Sequence, residues 1–233
     1  MIKVIDYNNL GGADHGWLKA KHHFSFASYQ DPNRVRFGPM RVVNDDIVAP
    51  KKGFDPHAHD NMEIITYVRK GAITHKDDIG NEGRTEAGDV QVMSAGTGVV
   101  HSEYNLEDED TNLYQIWMFP NKKNVKPRWD AKKFPKEPVE GKLKPLVTGF
   151  ENNDTDSLKI YQDTVIYAGR VNKGKSVSQP IERDQAYVLC SQGKIKINDT
   201  EIKKGDGAEI TDLKNVNITS LEDSEILFID LPR

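Results

Sequence analysis

Tyr67-Val68-Arg69-Lys70-Gly71-Ala72-Ile73, followed after a turn by Glu86-Ala87-Gly88-Asp89-Val90, decides the fold because the chain says it twice. The second copy reads Val188-Leu189-Cys190-Ser191-Gln192-Gly193-Lys194-Ile195, then a turn, then Lys203-Lys204-Gly205-Asp206-Gly207. In each copy an apolar run ends at glycine, a hairpin follows, and Gly-Asp opens the next strand. Glycine supplies the backbone freedom of a tight corner, and aspartate can bond nearby turn amides. A repeat of this kind predicts two copies of one small β-barrel.

The rest of the chain agrees. Long amphipathic helical patterns are scarce. Short runs such as Glu63–Val68, Asp89–Met93, Leu113–Phe119, Ala186–Leu189 and Glu225–Ile229 dominate, rich in β-branched and aromatic residues and ended by Gly, Asn or Asp. That pattern predicts an all-β protein. Asp78-Ile79-Gly80-Asn81 and Ile197-Asn198-Asp199-Thr200 are expected as hairpin turns. Between the copies lies a basic stretch broken by Pro127, Pro135, Pro138 and Pro145. It could be a nucleic-acid patch, but lysines broken by proline between two β regions favour a solvated connection. The expected division is an N-terminal metal-binding barrel over 1–125, a linker over 126–145 and a C-terminal barrel without metal ligands over 146–233.

With 233 residues, 36% of them hydrophobic and 29% charged, the chain suits a globular protein of one large or two small domains. A net charge of -4 gives no electrostatic invitation to nucleic acid, so no direct nucleic-acid partner is expected. The opening residues hold no apolar run long enough for a signal peptide, and nowhere do eighteen apolar residues run together, so no membrane association is expected. Cys190 is the single cysteine, which excludes an internal disulfide and fits a reducing, cytoplasmic location. Inside Tyr187-Val188-Leu189-Cys190 it is expected as a small buried side chain rather than a nucleophile.

All seven histidines fall in the first 101 residues, so only the first barrel can hold a histidine-ligated metal. His57-Ala58-His59 places two imidazoles at i and i+2, on one face of a strand. His101-Ser102-Glu103 repeats that geometry with an imidazole and a carboxylate. Two such strands across a barrel would give three nitrogens and one oxygen, a set that suits iron, manganese, cobalt, nickel, copper or zinc. Glu63 competes with Glu103 for the fourth position, and spacing alone does not choose between them. His22 and His23 are expected to be structural, His75 to lie on a solvated hairpin face, and His15 to have no metal-ligand partner. Phe26, Met93 and Trp117 are expected as plain core rather than site residues.

These residues carry a resemblance. Gly53-x3-His57-x-His59-x3-Glu63 with Gly71, and Gly88-Asp89 through His101-x3-Asn105, are similar to the two cupin motifs. The runs His22–Tyr29, Arg41–Asp46, His57–Glu63, Met93–Glu103, Tyr114–Trp117 and Phe228–Pro232 resemble the pirin family over the whole chain, its bacterial quercetinase-like members above all. The resemblance implies a bicupin of two tandem jelly-roll (double-stranded β-helix) barrels with one divalent transition metal ion, iron first among the candidates. The general cupin pattern favours Glu63 as fourth ligand beside His57, His59 and His101, and the pirin pattern favours Glu103. The closer pirin resemblance implies Glu103, with Glu63 as a partner that orients an imidazole. The implied activity is quercetin 2,3-dioxygenase: O2-dependent opening of a flavonol ring with release of carbon monoxide. Glu103 would take the 3-hydroxyl proton as general base. The same resemblance leaves room for a metal- and redox-responsive regulatory protein that binds a protein partner, and for a different phenolic substrate.

Overall fold

The structure is a computed structural model describing residues 1–233, and apart from one 3-10 turn at Tyr7–Asn9 its regular elements are all strands. It divides into two compact units. The first barrel is Gly11–Pro135 with Leu158–Gln162; the second is Met1–Leu10, Lys136–Ser157 and Asp163–Arg233.

These bounds differ from the expected 1–125, 126–145 and 146–233 at three places, one of them Leu158–Gln162, which groups with the first barrel. The N-terminal strand Ile2–Ile5 pairs antiparallel with Gly207–Thr211 in the second barrel, Val4 opposite Ala208. A sheet edge offers unpaired N–H and C=O groups to any strand that reaches it, however distant in sequence, so no local signal announces this pairing. Within the expected linker, Arg128–Lys132 forms a strand against Val90–Ser94, with Trp129 opposite Met93.

Each barrel is two facing antiparallel sheets. In the first, the large sheet runs Arg128–Lys132, Val90–Ser94, Glu63–Lys70, Thr111–Met118, Met40–Val48, Leu18–His22, Gly11–Asp14. The smaller runs Gly53–His59, Val99–Tyr104, Ala72–Asp77, Glu82–Glu86. The second barrel repeats the smaller sheet in the same order with Ser176–Pro180, Asn215–Ser220, Lys194–Ile197 and Thr200–Lys203. The repeated glycines do what the sequence asks of them. Gly71 and Gly193 turn at φ +73° and +78°, and an added Cβ would meet Thr111 Oγ1 at 2.6 Å or the Asp223 carbonyl at 2.4 Å. Asp206 closes its turn by accepting the Lys203 N–H at 3.0 Å.

The two interiors differ in kind. Val177, Val216, Ile218, Ile195 and Ile197 of the second barrel's smaller sheet pack into one apolar core with Ala186, Val188, Cys190, Ala208, Ile210, Ile226 and Phe228. Burying each large aliphatic side chain contributes about 1.5–3 kcal/mol. Cys190 is fully buried there. The first barrel instead carries a polar row across five strands of its large sheet, with Gln91, Thr66, Gln115, Asn44 and His22 in register side by side. No helix is long and apolar enough to cross a membrane.

Candidate metal centre

The smaller sheet of the first barrel uses the two-residue strand period three times. His57 and His59 lie on one strand, His101 and Glu103 on the next, and His75 and Asp77 on the third, with His101 in register with both His57 and Asp77. The register slips between His101 and Glu103, where the edge strand Gly53–His59 holds one extra residue. Pro56 sits in that edge strand, a place where a missing ladder N–H is tolerated.

The imidazoles of His57, His59 and His101 converge, with one ring nitrogen from each lying within 4.8 Å of the others. His57 Nε2 and His101 Nε2 face each other at 3.1 Å. His57 Nδ1 donates to the Asp55 carbonyl at 2.7 Å, which leaves a lone pair on its Nε2. His59 Nε2 is buried and makes no hydrogen bond. Burial, with His57 adding to it, pushes the His59 imidazole down to about 4. Burial and then the neighbouring histidines push His101 down to about 3. Both rings are therefore neutral near pH 7 with lone pairs to give. Three such nitrogens, one an orphan and two aimed at each other, fit a divalent transition metal ion.

Glu103 stands in the same cavity but outside the three-nitrogen group. Gln91 Nε2 donates to its Oε1 at 2.6 Å, Thr66 Oγ1 to the same oxygen at 3.3 Å, and Gln115 Nε2 to Oε2 at 2.8 Å. Thr85 Oγ1 donates to Gln91 Oε1 at 3.0 Å, turning the Gln91 amide nitrogen toward the carboxylate. Burial raises the Glu103 carboxyl above its ordinary value, against these donors and the nearby histidines. Glu63 is elsewhere: its Oε2 accepts from Ser94 Oγ at 2.7 Å and from the Tyr161 N–H at 3.1 Å, so it does not orient an imidazole. On its strand Ile64 lines the cavity and Thr66 faces Glu103, which turns Glu63 to the opposite side.

His75 corrects the expectation of a solvated face, for it is fully buried. Its Nε2 lies 3.0 Å from Asp77 Oδ2 and its Nδ1 lies 3.3 Å from His101 Nδ1. Its ring stacks on Trp129 at 4.9 Å and 8°. Gly83 makes room for that indole, since a Cβ there would come within 2.3 Å of it. The alternation of His75 and Asp77 with Lys76 and Asp78 was the available signal: the charged neighbours belong to the outer face.

The cavity in front of the histidines measures about 660 Å³, within the range of small-molecule sites. Trp17, Phe26, Phe54 and Trp117 supply its apolar wall, and His15, His22 and Asn44 also line it. Trp117 meets the His59 ring edge-on at 4.8 Å and Phe26 at 5.5 Å, so both are site residues as well as core. Met93 is core, packed with Ile64, Ala95 and Val99. His22 Nδ1 pairs with Asn44 Oδ1 at 2.9 Å, and His23 is buried. Asp46 also lines the cavity, with Oδ1 buried and unbonded. Burial, then Asp45 and Glu103, raise its carboxyl well above the ordinary value.

Two tandem barrels with an imidazole cluster in one of them define a bicupin with a single histidine site. The sequence matches the Pirin family profile over residues 4–118 and the profile described as the quercetinase C-terminal cupin domain over 148–231. It is 49% identical over 231 residues to a pirin-like protein of Caulobacter vibrioides, covering 99% of each chain. It is 40% identical over 234 residues to the quercetin 2,3-dioxygenase of Escherichia coli K12, covering 100% of this chain and 99% of that one. The crystal structure of the bacterial pirin YhhW from Escherichia coli in complex with nickel(II) matches with a TM-score of 0.92 at 37% identity, covering 100% and 99% of the two chains. This chain belongs to the pirin family.

Proposed function

We propose that the protein is a metal-dependent dioxygenase that opens the heterocyclic ring of flavonols such as quercetin with O2 and releases carbon monoxide. The observation that carries this reading is a buried carboxylate of raised basicity, Glu103, sharing one apolar-walled cavity with three converging imidazoles. The relative named quercetin 2,3-dioxygenase, matched over its whole length, supports it.

His57, His59 and His101 would hold the ion, and iron is the one proposed, although three imidazoles also accept manganese, cobalt, nickel, copper or zinc. Such an ion supplies Lewis acidity that lowers the pKa of a flavonol 3-hydroxyl. Glu103 receives the hydroxyl proton. Gln91, Gln115 and Thr66 keep its carboxylate in place before and after that transfer. Trp17, Phe26, Phe54 and Trp117 offer aromatic faces to a planar flavonol and exclude water from the reacting ring. Glu103 as a fourth ligand belongs to the same proposal and is separated from the base role below.

The test is anaerobic loading with ferrous iron, then addition of quercetin and O2, with flavonol absorbance and carbon monoxide followed together. The expected result is loss of flavonol with stoichiometric carbon monoxide. Full metal occupancy without flavonol loss would refute the reading.

A further inference from the structure

We infer that His75 and Asp77 form a hydrogen-bond relay that sets the tautomer of His101 and so decides whether His101 can bind a metal. The inference rests on His57, His59 and His101 being the ligands, and it concerns two residues that touch neither ion nor substrate.

Asp77 is the fixed end. Its Oδ1 accepts the backbone N–H groups of Asn81 at 2.8 Å and Ile79 at 3.2 Å, and its Oδ2 accepts Asn81 Nδ2 at 2.8 Å. With every contact arriving as a donor, Asp77 acts purely as an acceptor, and the His75 Nε2 lying 3.0 Å from Oδ2 carries a proton toward it. With its proton on Nε2, His75 presents its Nδ1 lone pair on the other side of the ring. That lone pair faces His101 Nδ1 at 3.3 Å and receives the N–H there. His101 then has its own lone pair on Nε2, the atom that faces His57 Nε2 at 3.1 Å. Trp129, stacked on the His75 ring, and Gly83, which admits Trp129, hold the His75 ring in its place in the relay. His57 reaches the same state by a simpler route, through the Asp55 carbonyl. His57 and His101 thus each have the distal nitrogen engaged, as metal-binding histidines usually do.

The geometry makes a sharp demand of Asp77→Asn. Two backbone N–H groups hold the amide oxygen at the Oδ1 position, so the new NH2 points at His75 Nε2. His75 must then accept at Nε2 and donate from Nδ1. That places the His101 proton on Nε2, where it blocks coordination. The probe is zinc(II), which is diamagnetic, with affinity measured by chelator competition. Asp77→Asn is expected to weaken zinc binding by roughly 10–100-fold. Adding His75→Asn in that background is expected to restore most of the loss, because the introduced amide oxygen takes the place of the Nδ1 lone pair whatever residue 77 offers. In zinc-loaded wild-type protein, 15N NMR is expected to show His75 protonated at Nε2 only, a readout that needs no variant to fold. Wild-type zinc affinity in Asp77→Asn, failure of His75→Asn to restore it, or a proton on His75 Nδ1 would each overturn the relay while leaving the metal site standing. Wild-type protein that takes no zinc would remove the metal reading and the relay together.

Discussion

Replacing Glu103 by glutamine separates two roles that the structure permits to one side chain. The substitution keeps shape and volume, so packing around a residue buried to 3% exposure is unchanged. One carboxylate oxygen becomes an NH2 and must find an acceptor. The Oε1 side is occupied by Gln91 Nε2 at 2.6 Å, and Thr85 holds that amide in orientation. The Oε2 side faces Gln115, whose amide oxygen has a single long contact to Thr66 at 3.5 Å. Gln115 can therefore turn over and accept the new donor, and removal of a desolvated charge works in the same direction. The expected stability change is within about 1 kcal/mol of zero. Turnover is another matter, because loss of a positioned general base costs about 10²–10⁴-fold in rate, or roughly 2.7–5.5 kcal/mol of activation free energy. The assay is quercetin consumption at saturating O2, with metal content by elemental analysis and the melting temperature on the same samples. Metal content retained with turnover lost assigns Glu103 as base alone; both lost assigns it as a ligand too. Turnover within about threefold of wild type at equal metal content would refute the base role.

Glu63 gives a pH signature away from the metal. Burial raises its carboxyl to about 7, so the folded state binds more protons than the unfolded one between the ordinary value of 4.5 and 7. Its contribution to stability is therefore full below about pH 4.5 and is lost as pH rises through 7, by up to about 3 kcal/mol. The depressed His59 and His101 pull the whole-protein pH dependence the other way, so the quantity to follow is the wild-type minus Glu63→Gln difference in urea stability. That difference is expected to be larger at pH 5 than at pH 8; an equal difference at both pH values would sink the assignment. Gly83→Ala pushes a methyl into the Trp129 ring, and is expected to cost about 1–3 kcal/mol by thermal melting and to weaken zinc binding as His75 loses its stacking partner. An unchanged melt and affinity would show that the indole shifts freely and does not hold His75.

The architecture was legible because its signals are local. Strand alternation, the glycine corners at Gly71 and Gly193, and the Asn198 turn at φ 49° each lie within a few residues of what they determine. The three converging histidines were legible for the same reason, as the i, i+2 pairs His57/His59 and His101/Glu103 each share one strand face before any partner strand is known. His75 was misread by weighing its charged neighbours as a cluster rather than assigning them to alternate faces. The row Gln91, Thr66, Gln115, Asn44 and His22 was missed because its members are dispersed over the chain and only strand register aligns them. Each is nonetheless a polar residue inside an apolar strand, and that is the pattern to look for. The choice between Glu63 and Glu103 needed the sheets themselves, since both satisfy parity relative to their nearest histidine. The N-terminal strand lies beyond any local reading, its partner being some two hundred residues away.

The contrast between the two interiors explains why a single barrel carries the candidate site. In the first, nearly every inward polar group belongs to a chain of partners: Thr85 to Gln91 to Glu103 on one side, Asp77 to His75 to His101 on the other. Among the buried polar atoms with no hydrogen bond, His59 Nε2, Asp46 Oδ1 and Trp117 Nε1 belong to residues that line the cavity. Leaving a buried polar atom unsatisfied costs about 1–3 kcal/mol, so a network of this size is stable only when nearly complete. In the second barrel the inward residues of the matching strands are Val177, Val216, Ile218, Ile195 and Ile197, a set that needs no partners. Introducing one histidine into that core would add a polar group with nothing to bond, and a second would not repair it without the row that supports it from the facing sheet. In this chain the polar chains of partners gather around the cavity of the first barrel, while the matching strands of the second turn aliphatic side chains inward.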